Sequence, residues 1–101
     1  MAIDFYDLGD VHFAQLLFKI EHHDFDCLKD VWLGLKNATG IYIDQYGKTR
    51  IYPTQVKLIA SLIKEHLEKI SSSDEKAKRP YFFDLYNKFV ETEGGLIALG
   101  D

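Results

Sequence analysis

The stretch that decides the fold is Ile41-Tyr42-Ile43-Asp44-Gln45-Tyr46-Gly47-Lys48-Thr49-Arg50-Ile51-Tyr52-Pro53. Two runs rich in Ile and Tyr flank a glycine-centred turn, a pattern that predicts a β-hairpin. One register sets Ile43 opposite Ile51, Tyr42 opposite Tyr52 and Asp44 opposite Arg50. An apolar pair, an aromatic pair and an ion pair then form together. A lone two-stranded hairpin is marginal in water, so these strands must pack on neighbouring helices.

Helical signals lie on both sides of this stretch. Upstream, Phe13, Leu16, Leu17 and Ile20 fall at i, i+3, i+4 and i+7, which predicts a first helix with Asp10 as its N-cap and His22-His23 at its end. Asp24 or Asp26 opens a second helix. Its face is Phe25, Leu28, Val31, Trp32 and Leu35, and Gly40 is free to take positive φ at its end. Downstream, Pro53 or Thr54 opens a third helix with a long stripe of Val56, Ile59, Ala60, Ile63, Leu67 and Ile70. The segment 71–79 is nearly devoid of apolar residues and reads as a flexible loop. Pro80 leads a fourth helix with Phe82, Leu85, Tyr86, Phe89 and Val90 inward, stopped by Gly94-Gly95. Leu96-Ile97-Ala98-Leu99 suits either a third strand beside the hairpin or a packed tail. The expected fold is α+β: two helices, a β-hairpin, then two helices, in a single compact domain over residues 1–101.

Composition narrows the function. The chain has 101 residues with 47% hydrophobic and 28% charged, as in ordinary globular domains. Its one cysteine, Cys27, excludes an intrachain disulfide and fits a reducing compartment. Met1-Ala2-Ile3-Asp4 lacks the basic-then-apolar pattern of a signal peptide, and no apolar run is long enough to span a bilayer. A cytoplasmic protein with no membrane contact is therefore expected. The formal net charge of −4 disfavours nucleic acid as the main partner. The acids are concentrated early, with Asp4, Asp7, Asp10, Glu21, Asp24, Asp26 and Asp30 in the first thirty residues. An acidic end can steer a basic partner into contact.

No strong catalytic, metal or nucleotide motif is present. His22, His23, Asp24, Asp26 and Cys27 carry ligand-type atoms in a short span. A zinc site needs about four convergent ligands, adjacent histidines usually diverge, and no paired Cys or His spacing occurs. The stretch reads better as a polar interhelix turn with a buried thiol, leaving a small enzyme or metal-binding protein at His22, His23 and Cys27 as an alternative. A nucleic-acid-binding regulatory module using Lys57, Lys64, Lys76, Lys78 and Arg79 is a second alternative, opposed by the overall acidity. No phosphate-binding glycine loop occurs, and no cofactor is expected. Tyr42, Tyr46 and Tyr52 are the best contact residues, because tyrosine offers large area at low entropic cost.

Two short stretches, Phe13-Ala14-Gln15-Leu16-Leu17-Phe18-Lys19-Ile20-Glu21 and Ile51-Tyr52-Pro53, resemble the first helix and the tyrosine-proline segment of the small acidic immunity proteins that neutralise colicin-type nucleases. That family is all-helical and carries two tyrosines before the proline, where this chain has Ile51-Tyr52. The resemblance implies that Asp24, Asp26, Asp30 and Tyr52 face a toxin. Together with the hairpin reading, the expected function is non-catalytic protein binding. Its concrete form is an immunity or antitoxin-type protein that caps a basic toxin through Asp24, Asp26, Asp30, Tyr42, Asp44, Tyr46 and Tyr52.

Overall fold

The computed structural model describes residues 2–70 and 76–100, so the loop expected over 71–79 lies outside the described residues as far as position 75. The elements run β1 (Ala2–Asp7), β2 (Phe18–Glu21), α1 (His22–Cys27), α2 (Lys29–Thr39), β3 (Lys48–Ile51), α3 (Pro53–Lys69), α4 (Arg79–Glu91) and β4 (Leu96–Leu99). The strands form one antiparallel sheet in the order β2-β1-β4-β3. The fold is thus α+β in one domain, but its order differs from helix-helix-hairpin-helix-helix.

The expected hairpin does not form. Lys48–Ile51 is a strand, but its partner is β4, with Lys48 opposite Leu99, Thr49 opposite Ala98, Arg50 opposite Ile97 and Ile51 opposite Leu96. Residues 41–44 join no ladder. The turn itself is real: the Gly47 N–H reaches the Asp44 carbonyl at 3.4 Å, and the Asp44 carboxylate accepts the Tyr46 N–H at 2.8 Å. It turns the chain into β3 without a backbone ladder to 41–44; the contact there is the Asp44 N–H donating to the Thr49 hydroxyl at 3.0 Å. The C-terminal segment takes that place, its Gly100 N–H donating to the Gly47 carbonyl at 2.7 Å. β4 wins because it is apolar at all four positions. A fully buried strand needs partners on both edges, and β4 has β1 and β3.

The first expected helix is also absent. Residues 8–17 form a loop, and Phe18–Glu21 pairs with β1, setting Phe5 opposite Phe18 and Ile3 opposite Ile20. Leu16 and Leu17 are 48% and 43% exposed in that loop, and of the expected helical face Ile20 alone is fully buried. Asp10 does receive backbone amides, from Ala14 at 3.0 Å and Gln15 at 2.9 Å, but it closes a loop turn rather than a helix. These amide donors hold its carboxyl below the ordinary aspartate value. His22-His23 opens α1 instead of ending a helix.

The third and fourth expected helices follow their sequence signals, whereas the second divides at Leu28 into α1, which opens at His22 rather than at Asp24 or Asp26, and α2. Phe25 and Leu28 join Val31, Trp32 and Leu35 in the core, and α2 stops at Gly40 with φ +80°. In α3, Pro53 occupies the first turn and the Gln55 side chain accepts the Tyr52 N–H at 2.8 Å. Val56, Ile59, Ala60, Ile63 and Leu67 are buried. On α4, Phe82, Leu85 and Phe89 are buried and Tyr86 is partly so, whereas Val90 is 54% exposed. The helix ends at Glu91, before the two glycines.

One core joins the layers. Ile3, Phe5, Ile20, Ile51, Leu96 and Ala98 point from the sheet into the same cluster as the helix stripes. Phe89 packs edge-on against Phe5 and Phe18, with centroids at 5.7 and 5.3 Å. Strand alternation sets Asp4, Tyr6, Lys19, Lys48, Arg50 and Ile97 on the opposite face. There Phe13 lies against Tyr6 at 5.1 Å.

Candidate functional site

The α1–α2 turn and the segment after Gly40 enclose a cleft of about 420 Å³. Its wall is Phe25 and Trp32, stacked at 4.6 Å and 14°. The Trp32 indole N–H donates to the Phe25 carbonyl at 2.8 Å, which locks the ring. The lip is exposed: Leu33 is 56% and Tyr42 61% accessible. Asp26, Lys29, Asp30 and Lys36 ring the opening, and Gln45 closes one side by donating to Asp26 at 3.1 Å. Lys36 Nζ stands 5.5 Å from the Tyr42 ring centroid, so this ring already holds a cation.

The cleft thus collects three of the seven residues expected at the contact: Asp26, Asp30 and Tyr42. Asp44 and Tyr46 lie on the adjoining turn. Asp44 is engaged by the Tyr46 amide, while Tyr46 is 69% exposed with its ring edge-on to His22 at 5.8 Å. Tyr52 is 49% exposed at the start of α3 and lines none of the described cavities. Asp24 turns the other way, into an ion pair with Lys78 that leaves its side chain 13% exposed. That partnership raises the Lys78 pKa above the ordinary lysine value. Sequence reasoning missed Lys29, Leu33, Lys36 and Gln45, and took Phe25 and Trp32 as core alone. Leu33 was legible as the apolar position off the α2 stripe, an exposed leucine with no core role.

The side chains of the His22–Cys27 stretch part company. His22 faces Tyr46, Asp24 meets Lys78, Asp26 meets Gln45, and Cys27 is half-buried against the core. Among the described residues, no group of three or more His, Cys, Asp or Glu is placed to hold a metal ion. Two of the basic residues are used internally, Lys78 on Asp24 and Arg79 on the Leu67 carbonyl. A second cavity of about 240 Å³ lies between α2 and the end of α3, with Asp30, Glu65, His66 and Lys69 on its walls. The buried Nε2 atoms of His66 and His22 have no hydrogen-bond partner among the described residues. No helix among the described residues is long and apolar enough to cross a membrane.

Comparison with protein-family models, with curated proteins and with solved structures found no match.

Proposed function

We propose that this chain is a non-catalytic protein-binding protein, in concrete form a cytoplasmic immunity or antitoxin-type protein that caps a basic toxin at its active or substrate-binding site. The observation that carries the reading is the α1–α2 cleft. It has a rigid aromatic wall, an exposed Leu33 and Tyr42 at its lip, and the carboxylates of Asp26 and Asp30 on its rim. Central aromatic anchors ringed by charge are the usual anatomy of a protein contact. The cation over Tyr42 supports a basic partner, because an arginine can displace Lys36 from the ring and reach the rim acids. Lys29 and Lys36 share that rim, so the attraction is local rather than that of a uniformly acidic face.

The test is affinity capture from source-cell lysate with mass spectrometry, then calorimetry and stopped-flow kinetics on the captured protein. Asp26→Lys combined with Asp30→Lys is expected to slow association and flatten its salt dependence. Tyr42→Ala is expected to speed dissociation, at a cost of about 1–3 kcal/mol. Unchanged affinity and salt slope in these variants would remove the cleft as the contact surface.

A further inference from the structure

Among the described residues the two edges of the sheet, β2 and β3, each have one neighbour, and they differ in charge. β3 carries Lys48 and Arg50 on its outer face. Paired antiparallel with a second copy about Thr49, it would set Lys48 opposite Arg50, like charge against like. Lysine and arginine on an edge strand discourage such pairing. β2 has the reverse property. Its outer face carries Lys19 and Glu21, on either side of the inward Ile20.

We propose that β2 is a homodimerisation edge. Two copies pair antiparallel about a two-fold axis at Ile20 and join their sheets into one. In this register Lys19 of each copy lies opposite Glu21 of the other, so the symmetry supplies the favourable cross-strand pair twice. Both side chains are accessible, at 57% and 50%, and the 3.5 Å contact between them within one chain leaves room for further partners. Leu16 and Leu17, exposed just before the strand, add apolar surface beside the edge. Charge complementarity points to a second copy pairing through this edge, because β2 is its own complement and β3 is not.

Sedimentation velocity of the full chain over about three decades of concentration tests this. The wild type is expected to pass from monomer to dimer. Lys19→Glu and Glu21→Lys, each creating like-charge pairs, are expected to weaken the dimer about tenfold or more, and the double swap to restore it to within about threefold. Circular dichroism confirms that each variant is folded, and Lys19→Gln, which removes attraction without adding repulsion, serves if a reversal does not fold. A wild type that stays monomeric throughout, or a dimer that no variant weakens, would overturn the proposal. So would β2 amides that gain hydrogen-exchange protection only when a different protein is added, which would assign the edge to a foreign strand.

Discussion

At the residue scale, Gly95 shows how one position serves two neighbours. A Cβ there would sit 2.5 Å from the Ile51 carbonyl oxygen and 2.7 Å from Leu8 Cδ2, so backbone and side chain both close on it. Its own carbonyl accepts the Leu8 N–H at 3.0 Å. Gly95→Ala must push β4 away from β3, and is expected to cost about 1–3 kcal/mol in urea denaturation. Gly94 is the control: a Cβ there meets only Asp7 Oδ1, at an ordinary 3.7 Å. Its alanine variant is expected to stay within about 0.5 kcal/mol of wild type. The glycine pair was legible as a chain feature, but as a helix stop. That one of the two is demanded by a strand forty-four residues upstream was not, because close approach is a property of two segments.

At the element scale, α2, α3 and α4 were readable because each carries its own evidence of period and punctuation. Their apolar stripes recur every three to four residues, Pro53 and Pro80 stand in first turns, and Gly40 closes α2. The strands carry no such self-sufficient signal. Phe18-Lys19-Ile20-Glu21 alternates as a strand should, yet Ile20 also completes a helical set with Phe13, Leu16 and Leu17. The choice fell to β1, whose Ile3 and Phe5 supply the facing pairs. The hairpin failed by the same logic, since β3 has a better partner in β4 than in 41–44. Hydrogen exchange separates the two pairings. The amides of Ile97 and Ala98, between two paired strands, are expected to be among the slowest, and that of Tyr42 to exchange orders of magnitude faster. Equal protection of Tyr42 and Arg50 would restore the hairpin.

At the scale of the whole molecule, folding redistributes charge. The acids gathered in the first thirty residues do not become a one-sign face. Asp24 meets Lys78 from a segment 54 residues on, and Asp26 and Asp30 share their rim with Lys29 and Lys36. The Lys78–Asp24 pair ties α1 to the chain entering α4 and has a definite pH signature. The folded-state pKa of Lys78 is raised. Its stabilisation is therefore complete below the ordinary lysine value of 10.5 and is lost as pH rises through the raised folded value. Wild type is expected to exceed Lys78→Met in thermal midpoint at neutral pH, with the gap closing above that value. A gap independent of alkaline pH would mean that the ammonium contributes nothing through the pair.

The sequence by itself determined the class of the protein: one α+β domain, with helical apolar stripes running from Phe25 to Leu35, from Val56 to Leu67 and from Phe82 to Phe89. It also marked acids and tyrosines that reach the surface. Those features depend on periodicity, caps and hydropathy, which are local. Only the tertiary structure decided strand pairing, and with it the fate of 41–47, which sets Tyr42 and Gln45 at the cleft and Ile43 in the core rather than forming a hairpin arm. It alone separated Asp24 from Asp26 and Asp30, engaging the first in an ion pair and leaving the others on an open rim. Hydrogen bonds between strands, and ion pairs across helices, join residues remote in the chain. Their partners are selected by competition among all segments at once, which no single stretch encodes.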